Sequence, residues 1–295
     1  MTAQLLAGAP VAEAVLADVT KRVEALADRG KTVGLGTILV GDDAASAGYV
    51  RKKHETSEQV GVASHHIEVS GDRTQADLLA AVERFNADPG VDAYLIQHPV
   101  PRQFDFNAAL LAMDPGKDAD GLHPVSLGKL VLQEDGPVPA TPAGIREMFV
   151  HYGIDIAGKH VVVCGRSNIV GKPIAAILMQ KNDRANATVT LCHTATSDLG
   201  SFTRQADILI AAMGSPRAIT AEMVKPGVVV VDVGNNWIED ETRQSGRRLV
   251  GDVDFEAVRT VASAITPVPG GVGPMTVAML LSNTVMLAEQ QAGRH

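Results

Sequence analysis

Tyr49 and Lys53 stand four residues apart in "SAGYVRKKHETSEQVGV", a spacing that stacks both side chains on one face of a helix. An amine beside an aromatic ring suits a flat heterocyclic ligand that must also exchange a proton, because burial readily lowers a lysine's pKa. On spacing alone the plainer reading is a lysine snorkelling over a half-buried tyrosine. Gln97 ends the apolar run "VDAYLI" and enters "QHPVP", where two prolines restrain the backbone. Strand carboxyl ends are where ligands collect in α/β sheets. "DPGKDADGLHP" supplies Asp114, Asp118 and Asp120. Three readings stand for it. Paired acids suggest a metal, although the ligand run of a calcium loop is missing. A single buried carboxylate suits two parallel N–H bonds from an amidine-like ring edge. An Asp-rich turn also arises simply because Asp caps its own backbone.

A second constellation is "VVVCGRSNIVGKP", with Gly165, Ser167 and Gly171 where a strand hands over to a helix. Glycines there permit a tight turn and close approach of a phosphate, and the helix amino terminus offers N–H groups and a positive dipole end. Ser167 fills the slot of the second glycine in the dinucleotide fingerprint, so the strict pattern is not met and an ordinary strand-to-helix turn stays open. A P-loop is excluded, because Gly171-Lys172 is followed by Pro173. After the next strand the chain reads Cys192-His193-Thr194, without the acid that grips the ribose in an NAD site. Arg166 in the turn can offer a forked donor to an extra phosphate, so NADP is expected over NAD. His193 reads equally as a binding residue or a solvated loop histidine.

The elements that must hold these residues follow from periodicity. Val11, Val15, Val19 and Val23 recur at helical spacing and predict a helix over 10–29. Strands are predicted at 33–41, 64–69 and 91–96, with helices near 46–60 and 74–87. Residues 97–142 read as a loosened stretch whose prolines and glycines stop long elements. After a helix over 141–153 the alternation resumes, with strands at 160–165, 188–192, 207–213 and 227–233 and helices from about 171 and near 198–206. Strand-then-helix order predicts an α/β fold with parallel sheets, and the nearly continuous apolar runs suit strands buried on both faces. "TPVPGGVGPMTV" then leads into a last helix that is apolar almost all round, which predicts burial and a return to the first domain.

A chain of 295 residues with 45% hydrophobic content and a formal charge of −8 can bury a large core, and its size favours two domains. The acidic balance argues against nucleic acid or an anionic membrane as partner, and Arg51-Lys52-Lys53-His54, broken up by Glu55 and Glu58, is a weak electrostatic footprint. Two cysteines, Cys164 and Cys192, form neither a zinc pattern nor a disulfide framework, which fits a reducing cytoplasm. The amino terminus does not read as a signal peptide, and no run is long enough to span a membrane.

Taken together, "YVRKK", "PGKDADGLHP", "GRSNIVGKP" and "PVPGGVGPMT", in this order and separation, make the whole chain resemble the bifunctional methylenetetrahydrofolate dehydrogenase/cyclohydrolase family, the FolD type. The resemblance implies oxidation of 5,10-methylenetetrahydrofolate with NADP, then hydrolysis to 10-formyltetrahydrofolate, by a cytoplasmic homodimer. It implies a folate-binding catalytic domain from 1–140 plus the C-terminal helix 274–295, and a Rossmann-type NADP-binding domain over 141–273. Residue by residue, it implies that Lys53 is the acid/base group of the hydrolytic step, that Tyr49 stacks on the folate, that Gln97 orients Lys53 and that Asp120 grips the pterin edge. Gly165, Arg166 and Ser167 would hold the cofactor's phosphates, with Thr194 and Asn235 nearby. The Pro269-Gly270-Gly271 segment would line the folate site, with Pro274 opening the last helix; no metal is implied. Three residues depart from the family's habit: His98 after Gln97, Ala119 in the aspartate loop, and Ala140 before "TP". The rival readings are a monofunctional or NAD-dependent dehydrogenase, a shikimate-type dehydrogenase whose own lysine-aspartate motif is not found, and a catalytically silent NADP-binding regulator.

Overall fold

β-Branched runs and helix caps divide the chain into the elements that periodicity predicts, with a few additions. The computed structural model describes residues 3–243 and 245–293. Met1, Thr2, Arg294 and His295, included in the expected domain and last helix, lie outside the described residues. In chain order the elements are β1 (Gln4–Leu5), α1 (Gly8–Ala27), β2 (Gly34–Val40), α2 (Ala44–Gln59), β3 (Ala63–Val69), α3 (Gln75–Ala87), β4 (Ala93–Ile96), α4 (Phe106–Ala112), α5 (Pro124–Leu132) and α6 (Ala140–His151). There follow β5 (His160–Cys164), α7 (Gly171–Leu178), β6 (Thr188–Cys192), α8 (Leu199–Thr203), β7 (Ile208–Ala211), β8 (Val229–Asp232), β9 (Asn236–Glu239), β10 (Arg247–Val250), α9 (Phe255–Val258), β11 (Ala264–Ile265) and α10 (Gly273–Ala292). Among the described residues no helix is long and apolar enough to cross a membrane.

The chain divides into two compact units, one of residues 13–140 and 277–295, the other of residues 1–12 and 141–276. In the first, a parallel sheet of order β3-β2-β4 is covered on both faces. Leu35, Ala93 and Leu95 pack with Val19, Val23 and Leu26 of α1 and with Leu280, Leu281 and Val285 of α10. Ile38, Tyr94 and Ile96 pack with Leu78, Val82 and Phe85 of α3. Burying one such aliphatic side chain stabilises by about 1.5–3 kcal/mol, which is why the apolar last helix returns to this core. Bidentate hydrogen bonds from Arg22 to Glu289 tie α1 to α10, with Nε at 2.9 Å and Nη2 at 2.7 Å.

The other unit carries a parallel six-stranded sheet, order β1-β11-β8-β7-β5-β6. Its central strands β5 and β7 are buried almost throughout, as their Val, Ile and Leu runs require. The strand order reverses beside β5, because the chain goes from β5 outward to β6 and then back across to β7. That makes the carboxyl ends of β5 and β7 a topological switch point, where ligands bind in sheets of this kind. Residues 3–6, expected with the first domain, belong to this unit because β1 adds a parallel edge strand to β11. The antiparallel β9–β10 hairpin also has no counterpart in the predicted elements.

Candidate active site

In the three-stranded unit the site grows from two strand ends and one helix. Asp43 caps α2 by accepting from the Ser46 amide at 2.7 Å, and α2 then presents Tyr49 and Lys53 a turn apart. Tyr49 is exposed, whereas Lys53 is only 7% exposed. The lysine is therefore buried and not snorkelling. Its ammonium nitrogen donates to Gln97 Oε1 at 3.0 Å. Gln97 is placed by its own backbone, whose amide continues the ladder to Ile38 O at 2.8 Å. Its side-chain amide is oriented by Nε2 donating to His98 O at 2.8 Å, so the carbonyl oxygen is the end left for the lysine. His98 itself sets its ring edgewise on Phe106 at a centroid distance of 5.1 Å.

The aspartate loop resolves into separate jobs. Asp114 Oδ1 accepts from the Gly116 amide at 2.8 Å. Asp118, fully buried, accepts from the Leu122 and His123 amides and from Ser126 Oγ. Both are turn-forming acids occupied by protein donors. Asp118 also bridges to Tyr94 of β4, and the Ala119 amide donates to Tyr94 O at 3.1 Å. This adds the loop alongside the strand that leads into Gln97. Small Ala119 is fully buried in the core there. Asp120 is the acid left over. Burial pushes its carboxyl above the usual range, opposed by the charge of Lys53. Burial in turn holds Lys53 below the usual lysine range, opposed by Asp120. A buried amine shifted downward and a buried acid shifted upward, each acting on the other's charge, make a candidate proton-transfer pair.

In the six-stranded unit, the turn after β5 is the second constellation. Gly165 has φ of +126°, and a Cβ on it would stand 2.0 Å from Ala212 O; a Cβ on Gly171 would stand 2.0 Å from Gly165 O. Only glycine fits either place. The sequence places free N–H groups at the helix amino terminus, and here the structure differs. Ser167 Oγ accepts from the Val170 and Gly171 amides, and Ser167 O accepts from Lys172. The unpaired donors are instead the consecutive amides of residues 166–169 in the loop, and successive free amides are what anion sites use. Arg166 and Ser167 are exposed there. The first carboxylate after β6 is Asp198, which caps α8 through the Ser201 amide at 3.2 Å. His193, Thr194 and Thr196 form the intervening turn, with the His193 amide donating to Thr196 Oγ1 at 2.9 Å. Thr194 and Asn235 are both exposed. The glycine cradle, the unpaired amides and the absence of an acid at the β6 tip fit a dinucleotide carrying an extra ribose phosphate.

Sequence reasoning missed two buried acids of this unit. Asp252 accepts from the Met213, Gly214 and Ser215 amides and from Asn236 Nδ2. Asp232 accepts from the Gly234, Asp252 and Val253 amides. Burial nevertheless pushes Asp232 up to about 6. Between them they pin the loops that follow β7 and β8. Thr266 accepts from the Asp232 amide at 2.7 Å, which roots the 266–273 turn on the same acids. In that turn Pro269 and Gly270 are exposed, while Gly271 is buried.

Comparison with known proteins decides the family. Residues 6–120 match the catalytic domain, and residues 139–292 the NAD(P)-binding domain, of tetrahydrofolate dehydrogenase/cyclohydrolase. The chain belongs to the tetrahydrofolate dehydrogenase/cyclohydrolase family. A curated relative, the bifunctional protein FolD of Syntrophotalea carbinolica, is 58% identical over 294 residues, covering 100% of this chain and 99% of the relative. The crystal structure of the bifunctional enzyme FolD of Campylobacter jejuni is 42% identical with a TM-score of 0.91, covering 98% of this chain and 99% of that one. The Trypanosoma brucei enzyme, solved with NADP cofactor and an inhibitor, is 38% identical with a TM-score of 0.92 and 99% coverage of both chains. The α/β fold, the parallel sheets and the returning helix expected for the family are all present.

Proposed function

We propose that the chain oxidises 5,10-methylenetetrahydrofolate to the methenyl form with NADP, then hydrolyses that product to 10-formyltetrahydrofolate. Family membership supports both activities. The observation that carries the hydrolytic assignment is the buried amine of Lys53, held by Gln97 and shifted toward neutrality. NADP, when bound, supplies a hydride acceptor. Lone pairs on the two folate nitrogens stabilise the cation that hydride loss leaves, so the chain's task in that step is orientation. Tyr49 stacks on the folate and Asp120 holds the pterin edge. Gly165, Arg166 and Ser167 hold the cofactor's phosphates, with Thr194 and Asn235 beside them. Pro269, Gly270 and Gly271 line the folate site.

Hydrolysis needs protons moved. Lys53 takes a proton from the water that adds to the methenyl carbon and returns one to the nitrogen that leaves as the ring opens. Gln97 positions it: its carbonyl oxygen accepts from the amine in either protonation state, and His98 O keeps that oxygen turned toward the lysine. The three-stranded unit with the last helix serves as folate-binding catalytic domain, and the six-stranded unit as NADP-binding domain. Cys164 and Cys192 are both free, buried thiols, which supports a reducing cytoplasm, and the family pattern supports a homodimer. An assay with methylenetetrahydrofolate and NADP tests the reading. Reduction of NADP followed by loss of the methenyl product is expected; no NADP reduction would overturn it.

A further inference from the structure

The residue after Lys53 reaches the sheet. His54 Nε2 lies 2.9 Å from the Thr37 hydroxyl on β2. The same hydroxyl lies 2.7 Å from Nδ1 of His66, the register partner of Thr37 on β3. His66 Nε2 lies 3.3 Å from Glu68 Oε1. The two imidazoles meet edge to face, with centroids 5.3 Å apart. An open cavity of about 340 Å³ beside them is lined by Arg51, His54, Glu55, Glu58, His66 and Glu68 among others.

The Thr37 hydroxyl also lies 3.4 Å from His65 O, a much longer contact than those to the rings, so its one proton goes to one ring and it accepts from the other. One arrangement of neutral rings satisfies every link. His54 Nε2–H donates to Thr37, Thr37 donates to His66 Nδ1, and His66 Nε2–H donates to Glu68. The reverse order would aim a bare nitrogen of His66 at the carboxylate. The chain of bonds therefore ties α2 to both β2 and β3 and fixes both tautomers. The rings lie close enough that charge on one disfavours charge on the other. Burial and then His66 hold His54 below the usual imidazole range, with Glu58 opposing and Lys53 adding to the depression. Such coupling is reciprocal: a proton on His54 lowers Lys53 by as much as a proton on Lys53 lowers His54. Other charges facing the rings are Arg51, Glu55 and Glu58 on α2 and Glu68 on β3, while β2 contributes the neutral Thr37.

We infer that His54, with Thr37, His66 and Glu68, is a positioning residue for hydrolysis, anchoring the helix that carries Lys53 and coupling its own charge to the lysine's. This rests on Lys53 as the proton-transfer group. A proton on His54 favours the neutral amine, and a proton on the amine favours neutral His54.

Two readouts cover both orders of titration. His54→Gln keeps a donor for Thr37 but cannot be charged. If Lys53 titrates below His54, this variant moves the acid limb of the hydrolysis profile up by about half a pH unit or more. If Lys53 titrates above it, Lys53→Met raises the His54 midpoint, read by imidazole NMR, by a similar amount. KM for NADP in the His54→Gln protein should stay at the wild-type value. Unmoved limb and unmoved midpoint together overturn the inference. Hydrolysis retained in Lys53→Met overturns the lysine's catalytic role instead, and the NMR midpoint then still decides the coupling.

Discussion

Replacing Lys53 by Met separates the two activities, and the structure sets how far. The thioether has nearly the lysine's reach but carries no proton. What is lost in the fold is one hydrogen bond to Gln97 Oε1 of 3.0 Å, leaving a buried acceptor unpaired at a cost of about 1–2 kcal/mol. What is gained is relief from burying an amine whose ammonium form is disfavoured there. Thermal unfolding of the variant, measured beside the two rates, separates a loss of fold from a loss of chemistry. A positioned acid/base group contributes about 10²–10⁴-fold, or about 2.7–5.5 kcal/mol of barrier. Hydrolysis should fall by about that factor. Hydride transfer moves no proton through Lys53 and should lose only substrate placement, about tenfold or less. Methenyl-folate absorbance, followed after adding methylenetetrahydrofolate and NADP, gives both rates at once: the methenyl species should form and persist. Equal loss of both activities, or full retention of both, would refute the reasoning.

Three further outcomes follow from the six-stranded unit. Gly165→Ala forces a Cβ to 2.0 Å from a backbone carbonyl at a φ of +126°, and should destabilise by about 3 kcal/mol or more; an unchanged thermal midpoint would show that the turn is not the rigid cradle described. Arg166→Gln should raise KM for NADP about tenfold, the cost of one charge-assisted phosphate contact, without changing the NAD-supported rate, and an equal effect on both cofactors would remove Arg166 from the ribose phosphate. Asp232 rises from 3.8 to about 6 on folding. Its protonated form thus contributes stability fully below pH 3.8, about 3 kcal/mol that is lost as pH rises through 6. Carboxyl NMR should find a midpoint near 6 for Asp232, and a midpoint near 4 would contradict the burial argument.

The linear order of residues already determines the local elements, because 3.6- and 2-residue periods, caps and glycines act over a few positions. "HVVVCG" makes a strand and Gly165 a turn at positive φ that favours glycine. "YVRKK" sets Tyr49 and Lys53 one turn apart in any helix. Burial was not legible there. The spacing equally allowed a solvated lysine, and only the packing of α2 on β2 and β3, with Gln97 arriving from β4, puts the amine in the interior. Nor could the chain announce Asp232 and Asp252 as keystones, since their partners are backbone amides up to 39 positions away, and an amide carries no sequence signal. The same holds for β1, too short to show a period, which becomes a strand only where β11 offers an edge. His54 and His66 lie twelve residues apart and share a hydroxyl from a third segment. Composition and spacing decide what each stretch becomes; long-range burial and hydrogen bonding decide which side chains lose water, and it is the loss of water that shifts their pKa values and makes them chemically active.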